Sequence, residues 1–287
     1  MYAHYYGLRE LPFGITPDTD YYFAHASQQE ALNTLLVAIR MGEGFLKITG
    51  EVGTGKTLLC RKLLSTLSRD PGFATAYVPN PYLEPRTLMR ALAEEVGLSV
   101  SGEETEHALA RRLTLRLADV HASGRRLVLC LDEAQAMPDA TLEALRLISN
   151  LETEKQKLIQ IVLFGQPELD ERLARHQVRQ LRQRIAFSCC LSAFSADDTQ
   201  SYLRHRLAVA GYTGPPLFTG PAIRVLYRAS GGIPRLINIL AHKALMAAYG
   251  EGARLVHRRH LVRARDDTES LQTRGRGWGF FRSWGHR

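Results

Sequence analysis

The chain has 287 residues, 45% of them hydrophobic, and its 37 Lys and Arg against 29 Asp and Glu give a formal net charge of +8. That length and apolar share support a sizeable buried core and exclude a disordered or fibrous chain. No run approaches the ~20 apolar residues that span a bilayer, and the start, Met1-Tyr2-Ala3-His4-Tyr5-Tyr6, lacks a charged region followed by an apolar one, so a cytoplasmic location is expected. The positive charge permits attraction to nucleic acid or to an anionic membrane and identifies neither. Half of it, Arg274, Arg276, Arg282 and Arg287, lies in the last stretch from Leu271. The four cysteines, Cys60, Cys130, Cys189 and Cys190, fall inside apolar patterns without metal-ligand spacing, which makes core residues of them rather than ligands.

In chain order, residues 1–26 read as an ordered extended arm: Gly7 to Asp18 holds prolines and aromatics but no helical period. Ser27-Gln28-Gln29-Glu30 has the spacing of a capping box and opens a helix through Leu32, Leu35, Leu36 and Ile39 that ends around Gly42 and Gly44. Phe45 to Thr49 is a buried strand, and it runs into Gly50-Glu51-Val52-Gly53-Thr54-Gly55-Lys56-Thr57, which fits G-x-x-x-x-G-K-[ST] at every fixed position. From Leu58 the chain continues as an amphipathic helix. Strand, loop and helix are the context a phosphate loop requires. Its glycines let backbone amides wrap a phosphate, the helix N-terminus adds its positive end, Lys56 reaches the terminal phosphates, and Thr57 offers a hydroxyl to magnesium. Gly50 through Leu58 is therefore the expected nucleotide-binding stretch.

Phe73 to Val78 is a second strand, followed by helices over Pro85 to Val96 and Glu104 to His121. Arg126 to Leu131 is a continuous apolar strand that ends in Asp132-Glu133, at the carboxyl end where open α/β sheets place their ligands. Asp132 is positioned to hold magnesium, and Glu133 to orient and deprotonate the water that attacks a terminal phosphate. After a helix over Leu142 to Leu151 comes the strand from Leu158 to Phe164, tipped by Gln166, a residue placed either to sense the terminal phosphate or to brace a turn. The cluster Arg179-Gln180-Leu181-Arg182-Gln183-Arg184 precedes a last strand, Ala186 to Leu191, closing a five-stranded parallel sheet with helices on both faces over residues 27–194. Residues 195–270 read as a small all-helical lid, with helices over Asp197–Ala210, Pro221–Ala229, Pro234–Tyr249 and Arg258–Ser270. Arg235, in the first turn after Pro234, is able to point back toward phosphates. Residues 271–287 interleave aromatics with arginines and glycines, a composition that suits a disordered tail, a membrane contact or a docking peptide.

Taken together these stretches resemble the P-loop NTPases of the AAA+ class, and within them the secretion-type ATPases that include ExeA/GspA of type II secretion, most closely the short members of the MSHA (mannose-sensitive haemagglutinin) pilus type. The resemblance is carried by Gly7 to Phe13, Gly50 to Cys60, Leu131 to Ala136, Phe164 to Leu169, Arg179 to Ile185 and Gly232 to Asn238, and it covers the chain to about Ser270. It implies an ATPase that uses ATP and Mg2+, and a homo-oligomer whose active sites are shared between subunits. Arg184 or Arg182 would be an arginine finger entering the neighbouring site, with Gln166 and Arg235 as first and second sensors. It also implies pilus or secretion assembly proteins as partners, with the tail as a contact to the inner face of the inner membrane. A DNA-acting ATPase of the same core is the competing reading; no helix-turn-helix or zinc pattern follows the lid to favour it.

Overall fold

The continuous apolar runs become parallel strands, the central three buried on both faces. In the computed structural model, which describes residues 2–79, 82–102, 104–150, 157–176 and 178–268, they are β1 (Phe45–Gly50), β2 (Phe73–Val78), β3 (Arg126–Leu131), β4 (Ile159–Gly165) and β5 (Ile185–Leu191). The sheet order is β2-β3-β4-β1-β5 and every pairing is parallel. Side chains alternate between faces along a strand, so an unbroken apolar run serves two cores at once. Leu127, Leu129 and Leu131, with Ile159, Ile161 and Leu163, face α4 (Pro85–Glu95), α5 (Glu106–Ala122), α6 (Asp139–Ile148), α7 (Glu168–Leu173) and α8 (Arg179–Arg184). Val128, Cys130, Val162 and Phe164, with Leu46 and Ile48, face α2 (Ala26–Met41) and α3 (Lys56–Leu67) on the other side. The expected five-stranded parallel sheet with helices on both faces is present.

Local details depart from the sequence reading. α2 starts at Ala26, not Ser27, because His25 is the N-cap and its Nδ1 accepts from the Ser27 amide at 3.4 Å; the Ser27–Glu30 box is not used. Cys60 and Cys130 are core residues, but Cys190 is exposed and Cys189 only half-buried. The reason is β5's place at the sheet edge, where most of its residues keep contact with solvent. α6 ends at Ile148, and Leu151, expected inside that helix, lies outside the described residues.

The chain divides into two compact units: Ala24–Ser192, which holds the sheet, and Met1–Phe23 together with the chain from Ala193 onward. The second unit contains α1 (Tyr2–Tyr5), α9 (Ala196–Val209), α10 (Gly220–Ser230), α11 (Pro234–Gly250) and α12 (Arg258–Asp266). The stretch set apart from sequence as an arm over 1–26 is thus divided in the structure, and its first 23 residues share the core of these helices. Tyr2, Tyr6, Leu8, Phe13 and Tyr21 are all buried there, and the apolar surface they remove from water offsets part of the entropy lost in ordering the segment. Polar pairings fix the register. Arg206, 5% exposed, donates to the carbonyls of Pro12 (2.6 Å) and Gly14 (3.1 Å) and lies 4.1 Å over the Tyr21 ring. Tyr2 Oη pairs with His242 Nδ1 at 2.8 Å, and Asn238 Nδ2 donates to Gly14 O at 3.2 Å. The last helix was expected to reach Ser270; that residue and the tail from Leu271 lie outside the described residues.

The turn between α10 and α11 admits only glycine at one position. Gly232 has φ +75°, and a Cβ there would sit 2.0 Å from the Phe194 carbonyl oxygen, while its own carbonyl accepts from the Phe194 amide at 2.9 Å. Gly231, at φ +60°, has nothing within 4 Å of that point. Gly232→Ala should therefore cost about 2–4 kcal/mol in urea unfolding, against about 1 kcal/mol for Gly231→Ala. Equal costs would show that backbone conformation alone, not the Phe194 contact, decides the position.

Candidate nucleotide site

β1 ends at Gly50, and after five intervening residues α3 begins at Lys56. Thr54 closes the turn between them, its amide and hydroxyl donating to the Glu51 carbonyl at 3.3 and 2.8 Å. Gly55 has φ +99°, and a Cβ at this position would lie 2.8 Å from Gln28 Nε2. That amide is the buttress of the loop: the buried Gln28 of α2 donates to the Thr54 carbonyl at 3.1 Å. Lys56 is 5% exposed, and its Nζ donates to the carbonyls of Gly50 (2.7 Å) and Glu51 (3.0 Å). Burial pulls its pKa below the usual lysine value, while the negative charges of Glu133 and Asp132 oppose that shift.

The acids come from β3. Register pairs Leu131 with Leu163 and Thr49 with Gly165, so the tips of β3, β4 and β1 end side by side. Asp132, 2% exposed, shares a hydrogen bond with the Thr57 hydroxyl and accepts the Glu133 amide at 3.0 Å. Burial raises its carboxyl above the usual range, and those two hydrogen bonds pull the other way. A buried carboxylate joined to a hydroxyl beside a lysine is a hard-oxygen donor pair that fits magnesium with phosphate oxygens completing its shell. Glu133 has φ 54° and ψ 36°, the one positive φ among the described non-glycine residues. A left-handed conformation costs such a residue roughly 1–2 kcal/mol, and here it turns the chain from β3 into the short helical turn Ala134–Ala136. The Glu133 carboxylate oxygen Oε2 accepts from Gln135 Nε2 (2.5 Å) and from Gln166 Nε2 (3.2 Å).

Lys56, Thr57, Asp132, Glu133 and Gln166 are thereby joined through one unit of the fold. The arginines are placed differently. Arg184 donates to the Arg146 carbonyl (3.3 Å), Ser149 Oγ (2.9 Å) and Asn150 Oδ1, all at the carboxyl end of α6. Arg182, two residues earlier on α8, is exposed. Arg235 is exposed in the first turn of α11, in the other compact unit. Sequence reasoning passed over Gln28 and Gln135, and the only signal for the second was its place two residues after Glu133.

A phosphate loop on the central strand β1, and acids on the next strand but one, define the class: an AAA-type P-loop nucleoside triphosphatase domain. An AAA domain family matches residues 39–173. The general secretion pathway protein A of Aeromonas hydrophila is 42% identical over 258 residues, 90% of this chain and 47% of that protein. The chain thus spans about half the length of this curated relative. Among solved structures, the Aeropyrum pernix ORC1 protein in complex with DNA superimposes with a TM-score of 0.64 at 21% identity, covering 89% of this chain and 69% of that one. The Thermotoga maritima RuvB branch migration motor gives 0.57 at 16%, over 90% and 73%. The chain belongs to the AAA ATPases of the ExeA/GspA secretion type.

Asp132 sets function against stability. Its folded carboxyl titrates above its unfolded value, so the charged form weakens the fold, and stability falls as pH rises through that raised value. Asp132→Asn should therefore unfold at a higher temperature than the parent at pH 7, with the gain disappearing below about pH 4, where the unfolded carboxyl is itself protonated. A lower midpoint at pH 7 would mean that the hydrogen bonds to Thr57 and Glu133 outweigh burial.

Proposed function

We propose that this chain hydrolyses ATP with magnesium, and that turnover powers or regulates assembly of a type II secretion machine or an MSHA-like type IV pilus. The observation that carries the first part is the convergence of Lys56, Thr57, Asp132 and Glu133 at the carboxyl edge of the sheet. Lys56 and the amides around Gly53 and Gly55 hold the phosphates. Thr57 and Asp132 hold the magnesium ion, whose charge offsets that developing on the phosphate oxygens. Glu133 takes the proton of the attacking water, and Gln166 at the tip of β4 orients that carboxylate. The second part is supported by 42% identity to a secretion-pathway protein across most of the chain. The reading places the protein at the inner face of the inner membrane, with the tail as its contact; no helix among the described residues is long and apolar enough to cross a membrane.

The competing reading, a DNA-acting ATPase, is favoured by the net charge of +8 and by the fold shared with DNA-bound ORC1. Hydrolysis by the purified chain, with and without duplex DNA at low and moderate salt, separates the two. The assembly reading expects a basal rate that DNA leaves unchanged, or a stimulation that salt erases, because contacts made by phosphate neutralisation alone weaken steeply with salt. Stimulation persisting at moderate salt would favour DNA.

A site shared between subunits completes the proposal, with Arg184 or Arg182 reaching the neighbour's terminal phosphate and Arg235 sensing the subunit's own. Arg184 first has to leave the end of α6, whereas Arg182 is already exposed. The finger replaced by Ala should be inactive alone and recover activity when mixed with Lys56→Ala, since each variant supplies the part the other lacks. Recovery with only one of the two arginine variants identifies the finger; recovery with neither would remove the shared site.

A further inference from the structure

Resting on the hydrolytic reading above, the geometry points to Gln135 as the residue that positions the general base Glu133 and ties it to the tip of β4. Both ends of its amide are engaged. Nε2 donates to Glu133 Oε2 at 2.5 Å, and Oε1 accepts the backbone amide of Gln166 at 3.0 Å. Since Gln166 Nε2 reaches the same Glu133 oxygen at 3.2 Å, three residues from two adjacent strand ends close a ring around one carboxylate.

The surroundings hold Gln135 from outside this ring. Its carbonyl accepts from Arg172 Nη1 at 2.6 Å, and Arg172 in turn is paired with Asp139 at the start of α6. Gly165, the last residue of β4, packs beside it: a Cβ there would meet Leu169 Cδ2 at 2.7 Å first and Gln135 Oε1 at 3.3 Å. The left-handed turn at Glu133 folds the chain back so that residue 135 faces residue 133, a contact that a regular helix leaving β3 would not make. The carboxylate is thus held by two amide donors while its backbone is held in a conformation that costs energy. A shift of the β4 tip of the size that phosphate contact at Gln166 would produce pulls on the Gln166 amide, and through Gln135 on the base itself. Gln135 touches no phosphate or water in this scheme and acts through Glu133.

Three substitutions test this, read by ATP turnover and, separately, by equilibrium binding of a fluorescent ATP analogue. Gln135→Ala should lower kcat by roughly 10- to 100-fold while analogue affinity changes less than about threefold, the pattern of a misplaced base in an intact pocket. In a Glu133→Gln background, itself slower by about 100- to 10,000-fold, the same change should cost nothing further in single-turnover rates, because there is no base left to position. Gln135→Glu keeps an acceptor for the Gln166 amide but loses the donor to Glu133 and sets a second carboxylate beside it, so it should lower kcat at least as far as Gln135→Ala, again with analogue affinity changed less than about threefold. A residue that only braced the turn would lower stability and analogue affinity together and would leave kcat unchanged in the variant that keeps the acceptor.

Full activity in Gln135→Ala, an undiminished loss in the Glu133→Gln background, or parental kcat in Gln135→Glu would each overturn the inference. A parent chain that binds the analogue but turns over no ATP would remove the hydrolytic reading beneath it. Normal parental turnover with insensitive Gln135 variants would remove this inference alone.

Discussion

Three neighbouring parallel strands that end at one level are the constraint on which the site depends. Because β4 lies between β3 and β1, the phosphate loop that leaves β1 and the acids that leave β3 are held a strand apart, with Gly165 and Gln166 filling the gap. Parallel pairing puts all three carboxyl ends on one edge, where α3 also begins and presents its free N-terminal amides. The same packing imposes a cost. Lys56 and Asp132 are nearly sealed from water, and neither charge is in its preferred surroundings. Two charges of opposite sign, each only partly satisfied, suit a pocket that is to receive a phosphate and a divalent cation, since both gain partners there.

How the site is held differs from how it is composed. The loop is supported by one buried amide, Gln28, that reaches from α2 to the Thr54 carbonyl, and the base by a second, Gln135. Amides suit such work because they carry a donor and an acceptor with no charge to desolvate. Beside the first of them a glycine stands where a side chain would collide with the amide, Gly55 at Gln28.

Much of this was legible in the sequence, and the limits have physical causes. The strands could be read because residues buried on both faces leave an unbroken apolar run, as at Leu127 to Leu131 and Ile159 to Phe164. The phosphate loop could be read because its chemistry fixes residue types at fixed spacing. Gln28 and Gln135 could not, since a lone glutamine in a helix or turn looks like surface until its partner's position is known. The cap at His25 was missed because Ser27 satisfies a local rule equally well, and only tertiary placement chooses between them. The edge cysteine Cys190 misled because an edge strand carries the same apolar letters as a central one. The destination of Tyr2, Phe13 and Tyr21 was hidden for a different reason: their partners lie roughly two hundred positions further along, beyond any local pattern.

That last feature orders events during synthesis. The sheet unit occupies an uninterrupted stretch, Ala24–Ser192, and all of it is made before α9 to α12. The first 23 residues are made earlier than all of it, yet Arg206 and the walls of α9 and α11 that shelter their aromatics are made after it. For the whole interval the nascent chain carries an uncovered tyrosine-rich leader on an already folded domain. The backbone also crosses between the two units twice, at 23–24 and at 192–193, so the helical unit is assembled from two stretches of chain that the whole sheet unit separates.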